Sequence, residues 1–295
     1  MIRDRTGIRD DDREPPPGDA ARPVSAPPTT DLEPVEQSAS PVAPDPPKVL
    51  ARQVFAEGLT AAERIARARA AWAERRRLGE LNIPFWPRWR SVQWFRHFAL
   101  TLVVLPALRI PYRLEVRGVQ NFRLVQEPCV VVSNHNMHMD NGMIFRAMPN
   151  GFRRRTAVVA AASDIFGNPI RGFFAGLLGN GFPFANEGAG VREGLENIIG
   201  MLDQKWNILI FPEGELTVVG PMKRFKAGPA RIAMDTGVQV LPIRIDVLRR
   251  GFYEGKWFPH PRASVRVNVG VPFHIPEGTR SLDATEMLEA AVRDA

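Results

Sequence analysis

The amino-acid sequence predicts an α/β fold, a mainly parallel sheet covered by helices on both faces. Three observations predict it. From Tyr112 onward short apolar runs alternate with longer amphipathic stretches, the rhythm of strands joined by helices. Runs such as Cys129-Val130-Val131-Val132 and Ile208-Leu209-Ile210-Phe211 are continuously apolar, as strands buried on both faces are. Gly118, Gly151 and Gly237 fall between the periodic stretches, where chain reversals are needed.

Composition divides the chain into three parts. Residues 1–50 hold 11 of the 27 prolines, six Lys/Arg and ten Asp/Glu, and they predict a disordered, proline-rich tail. The remaining 33 Lys/Arg against 22 Asp/Glu leave +11 on the rest, so the folded part is strongly basic. Such a charge suits an anionic membrane surface or a phosphate-bearing ligand. With only two tyrosines and no recognisable motif for it, nucleic acid is not expected as a partner. The single cysteine, Cys129, cannot form an intrachain disulfide. The first apolar window lies far downstream of the acidic start, so no secretory signal peptide is expected.

Residues 51–110 read as a basic, aromatic, helical segment. Thr60 followed by Glu63 makes a capping box for a helix over 60–80, whose apolar stripe of Ile65, Ala68 and Trp72 is narrow and whose remainder is basic. Such a helix is either solvated or laid on anionic lipid. Four of the six tryptophans lie between Trp72 and Trp94, interleaved with arginines as at a bilayer interface. The apolar run 98–108 is shorter than the roughly 20 residues of a bilayer span, and Pro106 interrupts it. A monotopic, partly inserted helical hairpin over 83–109 is the expectation, and with it a membrane-associated protein on the cytoplasmic face.

Residues 111–295 form the α/β domain. Strands are predicted at 112–117, 129–132, 156–162, 207–211, 238–246 and 263–269, and helices at 140–148, 191–206, 226–236 and 282–292. Ligands of such sheets sit beyond the carboxyl ends of the strands. His135 falls there, just after the apolar run 129–132, and so do Phe211, Pro212, Glu213 and Gly214.

Asp140 stands where the next helix should begin, five positions after His135, and its carboxylate can hold one imidazole nitrogen while the other faces the cleft. An imidazole so held takes a proton from a hydroxyl, so His135 and Asp140 are the candidate catalytic pair. No Gly-x-Ser-x-Gly occurs and Cys129 lies in a strand core, which leaves no covalent nucleophile. A rival reading takes His135, His138 and Asp140 as metal ligands of a hydrolase. Its spacing departs from the usual His-x-His-x-Asp-His, Asn141 stands where a histidine is needed, and only His260 and His274 remain downstream. Lys223, Arg224 and Lys226 form a basic cluster suited to phosphates or to an acidic carrier protein.

These blocks carry a family resemblance over residues 95–275. Asn134-His135-x4-Asp140, then Phe211-Pro212-Glu213-Gly214, then Phe225-Lys226-Ala227-Gly228 and a Leu241-Pro242 strand resemble in order the motifs of the glycerolipid acyltransferases, typified by 1-acylglycerol-3-phosphate acyltransferase. The resemblance implies transfer of an acyl group from a coenzyme A or acyl-carrier-protein thioester to a lipid hydroxyl, with His135 as general base, Asp140 orienting it, and no metal or redox cofactor. It places Asn134, Asn186 and Phe211 to Gly214 in substrate binding, to which the basic cluster, unless it is a plain solvated loop, adds Lys223 and Arg224. Two positions depart from the pattern: Asn186 and Leu216 stand where the family usually has phosphate-binding arginines, and Arg171, Arg192, Lys223 and Arg224 are the available substitutes. The acceptor expected is lysophosphatidate by family frequency or, with both arginines missing, another lysolipid, an amino-lipid or a lipid alcohol. A non-catalytic membrane adaptor with the same fold is a further alternative. Ile275-Pro276-Glu277-Gly278-Thr279-Arg280-Ser281 imitates the third block, but its place after the last strand predicts a turn and helix start.

Overall fold

The computed structural model describes residues 59–185, 190–217, 220–249 and 263–295. The tail 1–50 and Asn186 lie outside the described residues. Among the described residues the strands are β1 (Tyr112–Arg117), β2 (Cys129–Ser133), β3 (Thr156–Ala161), β4 (Phe182–Phe184), β5 (Asn207–Ile210), β6 (Gln239–Arg249) and β7 (Ala263–Val269). They form one sheet in the order β1-β7-β6-β2-β5-β3-β4. Every neighbouring pair is parallel except β6 with β7. The mainly parallel α/β architecture expected from the apolar rhythm is the one observed.

The central strands β2 and β5 are buried at every position, and their side chains alternate between the two faces of the sheet, as the two-residue period of a strand requires. Val130, Val132, Ile208, Ile210 and Val240 face a core covered by α6 (Gly190–Asp203), α7 (Gly228–Thr236) and α8 (Ser281–Asp294). Val131, Leu209 and Leu241 face the other, shared with Met143 and Ile144 of α3 (Asp140–Ala147) and with Leu100, Leu105 and Leu108. A seventh strand at β4 and two further helices, α4 (Asn150–Arg154) and α5 (Pro169–Gly179), go beyond the sequence expectation. Three glycines in α5 make its local propensity poor. Tertiary contact overrides that: Asn168 caps the helix by accepting the Ile170 and Arg171 N–H groups, and Gly176 lies against Trp86 and Pro87.

Helix α1 (Ala61–Leu78) carries the capping box as expected. Its basic face, however, meets neither water nor lipid alone. Arg64 pairs with Asp235 of α7 at 2.5 Å, Arg69 with Asp203 at 2.7 Å, and Arg75 with Glu193 and Glu196 of α6. Acidic residues more than a hundred positions away decide this, and local periodicity does not reveal them. Trp72 seals the contact by lying over Gly200.

Helix α2 (Arg90–Phe98) continues as a π-helical stretch, Ala99–Val104, and a last turn, Leu105–Ala107. Where a helical hairpin was expected over 83–109, the chain makes a single rod after the short turn Trp86–Arg88, held to α5 by the buried Arg96 guanidinium, which donates to the carbonyls of Pro87 (2.6 Å), Gly176 (2.9 Å) and Leu177 (2.6 Å). Burial lowers the Arg96 pKa to about 10, so it remains a cation at neutral pH. Among the described residues no helix is long and apolar enough to cross a membrane. Exposed along this rod are Trp94, Phe95, Phe98, Leu102 and Val103, and α5 exposes Ile170, Phe173 and Phe174. This is a larger exposed apolar surface than scattered single residues make.

A Cβ added at Gly200 would sit 2.4 Å from the Trp72 ring. Gly200→Ala is therefore expected to lower stability by about 1–3 kcal/mol in urea titrations by prying α1 from α6, and an unchanged midpoint would contradict that packing.

Candidate active site

The site is built where β2 ends. Asn134, buried at 5%, holds the chain there: its Nδ2 donates to the Ile245 carbonyl (2.9 Å) and its Oδ1 accepts the Ile245 N–H (2.8 Å). Backbone pairing of β2 with β6 stops at Ser133 opposite Ile243, and the Asn134 amide extends the ladder by side chain. Its polar atoms thus face β6, whereas the sequence placed Asn134 among substrate-binding residues. Asn136, which sequence reasoning did not single out, donates to the same carbonyl at 2.6 Å. Its only signal was the Asn-His-Asn order.

Between these asparagines His135 turns toward Asp140. The His135 Nδ1 lies 2.9 Å from Asp140 Oδ2, and the same oxygen accepts the backbone N–H groups of Asn136 (2.6 Å) and Met137 (3.0 Å). An oxygen that already accepts two amides is an acceptor, so Nδ1 carries the proton and Nε2 is left with its lone pair. Asp140 is fully buried, and its Oδ1 has no hydrogen-bond partner among the described residues. Burial holds its pKa above the ordinary aspartate value, against the opposing pull of His135 and the two amides. Nearby Tyr112 is pushed up to about 12 by burial and by the Asp140 charge, which keeps its phenol neutral.

The second loop meets the first through Glu213. Buried at 4%, it accepts the His135 backbone N–H on Oε1 (2.8 Å) and the Thr217 hydroxyl (2.6 Å) and Lys223 N–H (3.0 Å) on Oε2. Thr217 N–H returns to the His135 carbonyl at 2.8 Å, and Phe211 stacks on the imidazole with ring centroids 4.3 Å apart. Gly214 takes a φ of +75° at this turn, and a Cβ there would lie 2.6 Å from Lys226 Nζ. Pro212, buried, accepts the Lys226 N–H at 2.9 Å. Phe211 and Glu213 therefore touch His135, Pro212 and Gly214 belong to the same turn, and Lys223 is tied to that turn through its N–H on Glu213. Lys223 Nζ pairs with Glu215 at 2.8 Å and Arg224 is exposed beside it.

Of the residues offered as replacements for the missing arginines, Arg192 is spent on Glu196 at 2.8 Å, while Arg171 is exposed on α5. His138 is exposed, and among the described residues no three His, Cys, Asp or Glu side chains converge as metal ligands would. The segment 275–281 is a turn, Thr279 N–H to Pro276 carbonyl at 3.3 Å, running into α8, as its place in the chain predicted.

The chain is similar to known proteins. The model of the acyltransferase family matches residues 113–246. A 1-acyl-sn-glycerol-3-phosphate acyltransferase of Pseudomonas aeruginosa is 30% identical over 210 residues, covering 68% of this chain and 74% of that protein. A chloroplastic 1-acyl-sn-glycerol-3-phosphate acyltransferase of Brassica napus is 26% identical over 151 residues, 51% of this chain and 42% of that one. The crystal structure of the 1-acyl-sn-glycerophosphate acyltransferase of Thermotoga maritima is 20% identical, with a TM-score of 0.47 over 80% of this chain and 98% of that one. The chain is an acyltransferase. More particularly, it belongs to the glycerolipid acyltransferase family, which takes the place of the hydrolase alternative.

The raised Asp140 pKa carries a sign. A carboxyl that holds its proton more tightly folded than unfolded adds stability below its ordinary pKa, and that contribution is lost as pH rises through the raised value. Asp140→Asn is expected to lack this decline and to be at least as stable as the parent at neutral pH. Urea midpoints compared from about pH 4 to about pH 8 check it; a variant markedly less stable at neutral pH contradicts the balance.

Proposed function

We propose that the protein is a membrane-surface acyltransferase that moves an acyl group from a coenzyme A or acyl-carrier-protein thioester to a hydroxyl of a lipid acceptor. The observation that carries this reading is the 2.9 Å contact of His135 Nδ1 with a fully buried carboxylate at the carboxyl end of β2. It leaves Nε2 as the base. The acceptor hydroxyl gives its proton to Nε2 as its oxygen attacks the thioester carbonyl. The resulting tetrahedral intermediate collapses with loss of thiolate, and Nε2–H returns the proton to the sulfur. Asp140 stabilises the imidazolium between these steps. Glu213 fixes the backbone of His135 rather than offering a free carboxylate to the acceptor.

The acceptor is a lysolipid or a related lipid alcohol. The relatives are named for 1-acyl-sn-glycerol-3-phosphate, while Leu216 in place of an arginine favours an acceptor without a phosphomonoester. Lys223, Arg224 and Lys226 beside the Glu213 turn suit the phosphates of coenzyme A or the carboxylates of an acyl-carrier protein. The exposed apolar surface of α2 and α5 supports work at a bilayer. There the enzyme avoids drawing an acyl chain into water, at about 0.8 kcal/mol per methylene.

His135→Ala is expected to cut transfer from labelled acyl-coenzyme A by roughly 10²- to 10⁴-fold or more with the fold intact. Retained turnover refutes the catalytic assignment, and absence of turnover by the parent on any thioester favours the adaptor reading. Run with 1-acylglycerol-3-phosphate and with a lysophosphodiester side by side, the same assay ranks the acceptors. Phe95→Ser, Phe98→Ser and Leu102→Ser should each weaken vesicle partitioning roughly tenfold without lowering stability; unchanged sedimentation with vesicles rejects the anchor.

A further inference from the structure

We propose that a cleft at the opposite end of the sheet from His135 is a second, non-catalytic site that binds a phosphate anion. In the membrane setting proposed above, on which this reading rests, the phosphate is that of a lipid headgroup. The cleft has a volume of about 530 Å³ and lies among Arg90, Gln93 and Trp94 of α2, Arg154 and Arg155 ahead of β3, and Gln204 ahead of β5. Arg155 and Trp206 directly precede the first residues of β3 and β5, whereas His135 follows the last residue of β2. Parallel strands of four or five residues at about 3.3 Å each therefore separate the two ends by roughly 15 Å. A phosphate held here is not the group being acylated at the same time.

Charge is the first argument. Three guanidinium groups line the cleft and no carboxylate does. Among the described residues Arg90, Arg154 and Arg155 have no ion-pair partner, in contrast to Arg64, Arg69 and Arg75 of α1, which are paired. The acidic residue next in sequence to Gln204 is Asp203, and both of its oxygens accept from Arg69 at 2.7 and 2.8 Å. Three uncompensated cations around one concavity raise the local potential and select an anion, and guanidinium with amide donors suits phosphate oxygens. Arg90 is also the first residue of α2, where the free N–H groups and the helix dipole add positive charge.

The second argument is position. The Arg154 guanidinium lies over the Trp94 ring at 5.2 Å, a contact that uses its face and leaves its N–H edge for an anion. Trp94 stacks on Phe98 with ring centroids 5.9 Å apart, and Trp94, Phe95, Phe98 and Leu102 are 50%, 58%, 53% and 68% exposed. The cleft thus opens at the border of the exposed apolar strip. A charged pocket beside a strip of aromatics and aliphatics is the order in which a bilayer presents headgroup phosphate and acyl chain.

The test uses the full chain and the triple variant Arg90→Gln/Arg154→Gln/Arg155→Gln, with phosphatidylcholine vesicles prepared with and without phosphatidylglycerol. The parent is expected to prefer the anionic vesicles, and the triple variant to lose on the order of 10- to 100-fold of that partitioning. It should keep its binding to phosphatidylcholine and its acyl transfer in detergent. The corresponding triple lysine variant retains the charge and should retain the preference. Hydrogen exchange of residues 90–94 and 151–155 in inorganic phosphate forms the second arm. Protection there without a vesicle preference keeps the site and makes a soluble phosphate its ligand. If the variant partitions like the parent and phosphate protects nothing, the site does not exist. Should the parent bind neither vesicle, the membrane reading fails, and the phosphate arm alone decides the cleft.

Discussion

The structure around the site depends on one buried carboxylate. Asp140 has no exposure to water, and burying a charge is costly unless its partners are supplied. It receives three, the Nδ1 of His135 and the N–H groups of Asn136 and Met137, all on Oδ2. Those donors converge only if the chain turns sharply as it leaves β2. The turn is in turn fixed from outside, by Asn134 and Asn136 on the Ile245 backbone and by Glu213 on the His135 N–H. A side-chain ladder to β6 and a carboxylate from the loop after β5 thus hold one imidazole. The site is rigid because it is tied to the strands on both sides of β2.

This coupling gives the flanking elements their purpose. β6 and β5 are the neighbours of β2, so the Ile245 backbone of β6 and the loop that leaves β5 reach the turn around His135 directly. The rod that begins at α2 ends against the site: Leu108, which closes it, lies so near Gly142 of α3 that a Cβ there would approach within 2.8 Å. The rod that carries the exposed apolar surface is therefore packed at its buried end, Leu108, against the helix that begins with Asp140. The cationic cleft at the other end of the same rod gives α2 a polar end as well as an apolar side.

Much of this was legible in the sequence, for identifiable reasons. The strands with continuous apolar runs, the capping box at Thr60 and Glu63, and Gly237 ending α7 depend on local chemistry, and local chemistry is what periodicity and capping rules read. The His135 and Asp140 pair was legible because both lie within one turn of chain beyond one strand. What long-range contact decides was not. α5 has three glycines and is a helix because Arg96, Trp86 and Pro87 pack on it. The arginines of α1 read as a lipid- or solvent-facing stripe until Asp203, Asp235, Glu193 and Glu196 are placed opposite them. Glu213 looked like a ligand for the acceptor, and its three internal donors are visible only when the loops are brought together.

The claim on which the rest turns is that Asp140 fixes the Nδ1–H tautomer of His135 and leaves Nε2 unprotonated. Nitrogen-15 NMR of histidine-labelled protein at a pH where the imidazole is neutral, with His135 assigned by its loss in His135→Asn, measures this directly. The expected result is a protonated Nδ1 and a bare Nε2, with the pattern disrupted in Asp140→Asn. A proton found on Nε2 in the parent would contradict the account, because the nitrogen meant to take the acceptor's proton would already carry one.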